Sequence, residues 1–224
     1  TVKIGLNYEL SGPVASYGQA SVAGIKLAAE EINAAGGING KQIELVSYDT
    51  KSDTAEATTL ATKLMAQDKV VTVIGPATSG GMKAQIQVAE KNQVPVVSGS
   101  STADDLTVTN GKLNEYVFRT CFNDSFQGTS AANYSSEKLG ATTAVIIKDN
   151  SNDYSKGLAT SFDAQFKANG GSIVAEEAYA TGERNFNSIL TKIKGQSFDV
   201  IYLPGYYEEA GPAIKQAREL GITA

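Results

Sequence analysis

The chain has 224 residues, of which 42% are hydrophobic and 19% charged, so it can bury the core of one large domain or two modest ones. Its formal net charge of −5 argues against nucleic-acid binding, which draws its affinity from clustered lysine and arginine. The absence of histidine excludes the usual Ser-His-Asp and Cys-His catalytic sites and imidazole metal sites, and every apolar run stops short of the about 18 residues that a membrane span needs.

Short apolar runs alternate with segments of helical periodicity through the first half of the chain. The pattern predicts strands at residues 2–9, 42–49, 70–75 and 94–98, and helices at residues 21–35, 54–67 and 80–92. A succession of strand–helix units favours a parallel sheet with flanking helices, which is an α/β fold.

The same alternation begins again after an irregular stretch at residues 102–115, which is the predicted crossover. Strands are predicted at residues 116–120, 143–148, 172–179 and 200–203, with helices at residues 125–139, 154–169 and 208–220 and another before the last strand. Gly36-Gly37 and Gly170-Gly171 each follow a long predicted helix, which is typical of helix C-caps. The repetition predicts two similar α/β lobes, at residues 1–119 and 120–224.

The sequence contains none of the common catalytic signatures. It has no phosphate-binding loop, dinucleotide-binding turn or nucleophile elbow. Acidic pairs occur at Glu30-Glu31, Asp104-Asp105 and Glu208-Glu209, but neighbouring helical residues point about 100° apart, which favours solvated faces. The lone Cys121 is expected to be a buried small hydrophobe rather than a reactive thiol. We therefore expect no catalytic residues, no metal site and no cofactor.

Polar residues at the carboxyl ends of the predicted strands are the candidate binding residues, because ligands of open parallel sheets bind beyond these ends. Residues 74–79 end one strand and open a helix. The Ser79 hydroxyl and nearby backbone N–H groups can meet an anion there, or Ser79 can simply N-cap the helix. In the loop at residues 11–19, Tyr17 is either an apolar wall or an ordinary surface tyrosine.

A second candidate loop ends the next predicted strand at residues 97–102. Its small residues allow a ligand to approach the main chain, and Ser100, Ser101 and Thr102 supply hydroxyl groups. A plain Ser/Gly turn is equally compatible with the spacing.

A series of short motifs runs through nearly the whole chain. They are Ile4-Gly5-Leu6, Leu10-Ser11-Gly12-Pro13 with Tyr17-Gly18, Gly24-Ile25-Lys26-Leu27-Ala28, Gly36-Gly37-Ile38-Asn39-Gly40, Ile74-Gly75-Pro76 with Ser79, Phe118-Arg119-Thr120, Asp124 with Gln127-Gly128, and Tyr154-Ser155-Lys156-Gly157. In this order and spacing the sequence resembles the leucine/isoleucine/valine-binding family.

The resemblance implies a type I periplasmic-binding fold, in which two Rossmann-like lobes with parallel sheets flanked by helices close over an amino acid. The hinge is expected near residues 119–123. The implied function is the extracytoplasmic solute-binding component of an ABC importer, with a branched-chain amino acid as ligand and a membrane permease as partner. An amino-acid sensor or receptor domain of the same fold remains the alternative.

The implied location is the periplasm, or the cell surface for a lipoprotein. No signal peptide is visible in the chain, because Thr1 opens directly into an apolar strand. The family normally continues through further strands, so the chain is expected to be truncated at its C-terminus. The acid that usually pairs with the ligand ammonium is expected in the missing part.

The resemblance also implies roles for individual residues. Ser79 and Thr102 resemble the hydroxyls that hold the ligand α-carboxylate, and Ser100 resembles the position whose backbone carbonyl meets the α-ammonium. Tyr17 resembles a pocket wall.

From the second lobe, Tyr154 and Tyr206 resemble the aromatic contacts of the ligand. Tyr207 and Glu208 adjoin Tyr206, and the resemblance alone does not separate them from it.

Overall fold

The apolar runs of the first half form a five-stranded parallel sheet. The computed structural model describes residues 1–224, and its contacts divide the chain into two units, Thr1–Cys121 and Phe122–Ala224. The strands of the first unit are β1 (Val2–Tyr8), β2 (Ile43–Asp49), β3 (Thr72–Ile74), β4 (Val96–Ser98), β5 (Val108–Thr109), β6 (Lys112–Leu113) and β7 (Val117–Arg119). The sheet order is β2-β1-β3-β4-β7, which confirms the predicted parallel architecture.

Three helices flank this sheet: α1 (Ala15–Ala34), α2 (Thr54–Thr62), which continues into a π-helical turn (Lys63–Gln67), and α3 (Ser79–Asn92). Leu64, Val73, Met82 and Val96 belong to one buried apolar cluster of the unit, and Leu6 belongs to another. Burial of these side chains provides the main driving force for folding. The segment predicted to be irregular contains one short element, the antiparallel β5–β6 hairpin.

The second unit has a three-stranded parallel sheet in the order β10-β8-β9. Its elements are α4 (Asp124–Glu137), β8 (Thr143–Asp149), α5 (Asp153–Ala168), β9 (Ser172–Tyr179), α6 (Asn187–Lys194), β10 (Val200–Tyr202) and α7 (Tyr207–Glu219). In its core Phe162 stacks on Tyr202, with ring centroids 4.0 Å apart, and on Phe166 at 5.3 Å. The boundary between the units follows Cys121, whereas the first lobe was expected to end at residue 119. No helix of the chain combines the length and the apolar character that a membrane crossing requires.

The two glycine pairs end α1 and α5 in the same way. The N–H of Gly37 donates to the Ile32 carbonyl (2.8 Å), and the N–H of Gly171 donates to the Phe166 carbonyl (2.9 Å). The glycine before each of these donors has a positive φ, of 106° and 88° respectively. This is the Schellman arrangement, in which a left-handed residue allows the last carbonyls of the helix to be satisfied. The predicted C-caps are confirmed.

Helices α4 and α5 approach each other closely at Gly128. A Cβ atom at this position would lie 2.7 Å from the Ser161 Cβ and 2.9 Å from the Leu158 carbonyl oxygen. Because the obstructing atoms belong to the backbone and the first side-chain carbon of α5, rotation of a side chain cannot relieve the clash. The helices must move apart to accept any other residue.

We expect Gly128→Ala to lower the free energy of unfolding by about 1 to 3 kcal/mol, the usual cost of overpacking. Gly24→Ala is the control, since Gly24 lies within α1 and a Cβ there meets nothing within 4 Å. That change should raise the stability by about 0.4 to 1 kcal/mol. Urea unfolding curves of the two variants measure both effects, and equal midpoints would contradict the close approach of α4 and α5.

The start of β8 is fixed by the exposed carboxylate of Asp199. Its Oδ2 atom accepts N–H bonds from Thr142 (2.8 Å) and Thr143 (2.9 Å), and both threonine hydroxyls lie within 3.1 Å. The hydrogen bonds from the backbone of Thr142 and Thr143, and from the threonine hydroxyls, lower the pKa of Asp199 to about 2. The charged form is therefore favoured in the folded protein.

A lowered folded-state pKa makes the stabilisation by Asp199 pH-dependent. The contribution is complete above the ordinary value of 3.8 and is lost as the pH falls through about 2. We expect Asp199→Asn to be less stable than the wild type at pH 5 and the difference to shrink steadily towards pH 2. Thermal melts across this range test the prediction, which fails if the difference stays constant.

Candidate functional site

The carboxyl end of β1 carries a buried acid that the sequence analysis did not single out. Glu9 directly follows β1 and accepts backbone N–H bonds from Ala77 (2.9 Å) and Thr78 (3.1 Å) and a hydroxyl bond from Thr78 (2.7 Å). The start of a helix attracts negative charge. The protein's own carboxylate therefore occupies two backbone donors that were expected to be available to a ligand anion. The only feature of the sequence that could have indicated this role of Glu9 is its position immediately after a buried strand.

Ser79 joins the start of α3 to the loop that follows β4. Its buried Oγ accepts N–H bonds from Thr102 and from Ala103, each at 3.1 Å. The N-cap of α3 is the preceding residue, Thr78, whose hydroxyl accepts the N–H of Gly81 (3.3 Å). The interpretation of Ser79 as the N-cap was therefore wrong, because the side chain that turns back onto the helix end is that of Thr78.

The two bonds accepted by Ser79 determine what its hydroxyl can recognise. A serine hydroxyl has one hydrogen to donate and two lone pairs to accept with. The N–H groups of Thr102 and Ala103 use both lone pairs. The remaining capacity of the group is to donate its hydrogen, so the hydroxyl suits an acceptor such as a carboxylate oxygen and does not suit an ammonium group.

The loop between β4 and Thr102 is held by its own hydroxyl groups. Ser98 Oγ lies 2.7 Å from the Pro76 carbonyl oxygen and 2.8 Å from Ser101 Oγ, and Ser100 Oγ donates to the Ala77 carbonyl (2.8 Å). Ser101 is fully buried, with its Oγ within 3.2 Å of the Pro76 and Ala77 carbonyl oxygens. Its side chain braces the loop, and a direct contact with a ligand stays a prediction.

Thr102 carries the one hydroxyl of this loop that is both buried and without a hydrogen-bond partner. The residue is 5% exposed, and no partner for its Oγ1 exists in the protein. A buried polar atom left unpaired costs about 1 to 3 kcal/mol and calls for an explanation. A direct contact of the Thr102 hydroxyl with a polar ligand group stays a prediction.

Tyr17 lies on the first turn of α1 and not in a loop. Helix α1 begins at Ala15, earlier than the predicted start at residue 21. The next residue, Gly18, packs so closely on Glu9 that a Cβ would lie 2.0 Å from the Glu9 carbonyl oxygen. This contact holds the first turn of α1 against the end of β1. Tyr17 is 38% exposed at the same edge of the sheet as Ser79, and its role as a pocket wall stays a prediction.

In the second unit, two tyrosines stack at the carboxyl ends of β8 and β10. Tyr154 is on the first turn of α5 and Tyr206 immediately precedes α7. Their rings are nearly parallel, at 5°, with centroids 5.3 Å apart. Gln127 donates to the Tyr154 hydroxyl oxygen (3.2 Å). Burial and the negative charge of Asp124 nevertheless raise the pKa of Tyr154, so its phenol stays neutral and can donate. The pair offers a flat, half-buried apolar surface with a polar rim.

The position of this pair depends on the buried hydroxyl of Ser155. Its Oγ accepts the N–H of Asp149 at the end of β8 (2.8 Å) and donates to the Pro204 carbonyl in the loop after β10 (2.5 Å). One side chain thus ties the start of α5, which carries Tyr154, to the loop that leads to Tyr206.

The two residues after Tyr206 do not take part in the tyrosine stack. Tyr207 is the first residue of α7, and Glu208 forms an ion pair with Arg184.

The structure therefore brings Ser79, Ser100 and Thr102 together within the first unit and Tyr154 and Tyr206 together within the second. All five follow the carboxyl ends of parallel strands, as expected for open α/β sheets. No group of three or more acidic, cysteine or histidine side chains is placed to hold a metal ion. Hydroxyl groups and an aromatic pair can bind a small polar molecule, but they contain no acid–base pair arranged for catalysis.

Comparison with known families identifies the same architecture. The sequence model described as "Periplasmic binding protein" matches residues 1–224. The leucine-, isoleucine-, valine-, threonine- and alanine-binding protein of Pseudomonas aeruginosa is 33% identical over 224 residues, which is 100% of this chain and 59% of that protein. The chain thus spans about 59% of the length of the curated relatives it matches.

Solved structures that are similar over the full chain include the following two. The branched-chain amino acid transporter substrate binding protein LivJ of Streptococcus pneumoniae, in complex with isoleucine, has a TM-score of 0.93 and 51% identity, covering 100% of this chain and 62% of that one. The leucine binding protein LivK of Thermotoga maritima has a TM-score of 0.93 and 33% identity, with the same coverage of 100% and 62%.

The hydrogen bonds around Ser79 and Thr102 predict opposite effects on stability. We expect Ser79→Ala to lower the free energy of unfolding by about 1 to 3 kcal/mol, because two buried N–H groups lose their acceptor. Thr102→Val removes a hydroxyl that has no partner in the protein and keeps the shape of the side chain, so it should be neutral or slightly stabilising. Urea unfolding of both variants without ligand is the measurement. A Thr102→Val protein as unstable as Ser79→Ala would show that the Thr102 hydroxyl has a structural partner.

Proposed function

Because the chain belongs to the periplasmic binding protein family, whose model matches it from residue 1 to residue 224, we propose that it binds an amino acid with an aliphatic side chain outside the cytoplasm for an ABC importer. The relative from Pseudomonas aeruginosa is named for binding leucine, isoleucine, valine, threonine and alanine, and the Streptococcus pneumoniae structure holds isoleucine. Branched-chain amino acids are therefore the ligands we propose. The partner is a membrane permease, and the location is the periplasm or the cell surface.

The observation that carries the proposal is the pair of hydroxyls at the edge of the first sheet. The Ser79 hydroxyl can only donate, and the Thr102 hydroxyl is buried without a partner. Two hydroxyls that can each donate a hydrogen suit the two oxygens of a carboxylate, since hydrogen bonds to a charged group are stronger than those between neutral groups. The backbone carbonyl of Ser100, an exposed residue, is the proposed acceptor for the α-ammonium.

The tyrosine pair of the second unit supports an apolar side chain as the other part of the ligand. The stacked faces of Tyr154 and Tyr206 are half-buried, and no charged group belongs to the stack itself. An aliphatic side chain gains about 25 cal/mol for each Å² of apolar surface that such a contact removes from water. The hinge near residues 119–123 and closure of the lobes on the ligand stay predictions.

A binding role is proposed in preference to catalysis. The relatives are named as binding proteins, and the candidate residues are hydroxyls and aromatic rings that hold a ligand without activating a nucleophile. A ligand contributes to a conformational change only through contacts that differ between two states. We propose that the permease recognises the conformation that ligand-dependent contacts of this kind favour.

We expect leucine, isoleucine and valine to stabilise the full-length protein by about 2.7 kcal/mol at a hundredfold excess over their dissociation constants. Leucinamide, which lacks the carboxylate, should produce no shift, and glucose and ATP should produce none. Differential scanning calorimetry with each compound is the measurement. A shift with glucose or ATP and none with the three amino acids would overturn the proposed ligand class.

Thr102→Val provides the matched control for this assignment, because it is expected to fold normally. Loss of a hydrogen bond to the carboxylate should weaken leucine binding by roughly 1 to 3 kcal/mol, with no loss of stability in the absence of ligand. Isothermal titration calorimetry measures the change. Unaltered affinity in this variant would remove Thr102 from the proposed site.

A further inference from the structure

The peptide groups between Ser101 and Ala103 lie between two side chains, Ser79 on one side and Arg119 on the other. The Arg119 Nη1 atom, at the end of β7, donates to the carbonyl oxygens of Thr102 (3.1 Å) and Ala103 (2.7 Å). On the opposite side the N–H groups of Thr102 and Ala103 donate to Ser79 Oγ, at 3.1 Å each. The loop is therefore held from both sides by side chains outside it.

One of these peptide groups connects the guanidinium to the serine directly. The carbonyl of Thr102 and the N–H of Ala103 belong to the same peptide unit, with the oxygen bonded to Arg119 and the hydrogen bonded to Ser79. The peptide group between Ser101 and Thr102 has the same orientation. Its carbonyl oxygen lies 3.4 Å from the Cys121 sulfur, and its N–H donates to Ser79 Oγ. Both peptide groups therefore point their positive N–H ends at the Ser79 hydroxyl oxygen.

Arg119 brings a full positive charge to this arrangement. The side chain is half-buried, and the hydrogen bonds that it makes go to backbone carbonyls and not to a carboxylate. A guanidinium is always charged in proteins. Chains of hydrogen bonds polarise one another, so a cation at one end makes the Ala103 N–H a stronger donor to Ser79. The Ser79 hydroxyl in turn becomes a stronger donor to whatever accepts from it.

The positive charge of Arg119 also compensates for the helix N-terminal donors that are no longer available at the start of α3. The positive end of a helix is a common source of attraction for a ligand anion. Here the backbone donors of Ala77 and Thr78 are occupied by the buried Glu9 carboxylate, which adds a negative charge beside the site. Arg119, on the far side of the loop, supplies the opposite charge.

We propose that Arg119 is a positioning residue of the carboxylate site. Its charge, transmitted through the peptide groups of Thr102 and Ala103, strengthens the Ser79 hydroxyl as a donor to the ligand carboxylate. The proposal rests on the proposed function of amino-acid binding. It gives a role to Arg119 of the Phe118-Arg119-Thr120 motif, to which the family resemblance assigned none.

The test compares three substitutions of Arg119 in the full-length protein by titration with leucine. Arg119→Met removes the charge at similar length and should raise the dissociation constant at least tenfold. Arg119→Lys keeps the charge and should stay within threefold of the wild type, and Arg119→Gln, a neutral donor, should fall between them. If Arg119 only fills space, Met is the best-tolerated of the three, and that order would overturn the proposal.

A double-mutant cycle separates this mechanism from a general loss of loop structure. In a Ser79→Ala protein the hydroxyl is absent, so adding Arg119→Met should change the dissociation constant less than threefold. A tenfold effect that persists without the Ser79 hydroxyl would overturn the proposal. Lys26→Met removes one exposed charge from α1 and controls for net charge; it should leave leucine binding unchanged. A wild-type protein that does not bind leucine would overturn the proposed function instead.

Discussion

The first unit depends on the hydroxyl of Ser79 as an acceptor of two backbone hydrogen bonds. These bonds from Thr102 and Ala103 join the start of α3 to the loop after β4, so two neighbouring strand ends cannot move independently. They also leave the hydroxyl with only a hydrogen to offer. The support of the loop and the preference for an anionic acceptor are thus consequences of the same two bonds.

Most polar groups at this edge of the sheet are satisfied by the protein itself. Glu9 holds the backbone before α3, and Ser98 and Ser101 hold the loop, so their burial reflects structure. The hydroxyl of Thr102 has no partner in the protein, and neither has the buried hydroxyl of Thr50, which follows β2. Because buried polar groups are nearly always paired, the unpaired Thr102 hydroxyl supports the proposed binding role over a purely structural one. Neither residue type nor position in the sequence makes that distinction.

In the second unit a different serine likewise joins a helix to the ends of neighbouring strands. Ser155 lies in the first turn of α5 and joins the end of β8 to the loop after β10, much as Ser79 joins α3 to the loop after β4. In each unit a buried hydroxyl fixes the strand ends and thereby sets the position of the candidate binding groups. In the first unit these groups are hydroxyls, and in the second they are stacked aromatic rings.

The sequence by itself determined the α/β class, the order of the main strands and helices, the glycine C-caps and the strand ends that carry the candidate residues, because periodicity and turn residues are local properties. It could not place Tyr17 on a helix, show that Tyr154 and Tyr206 stack, or find Glu9. The tertiary structure decided these points and the role of Ser79, because each depends on hydrogen bonds or ring contacts between residues far apart in the chain. Only the folded protein shows which of several adjacent hydroxyls has no partner, since pairing is a property of three-dimensional neighbours.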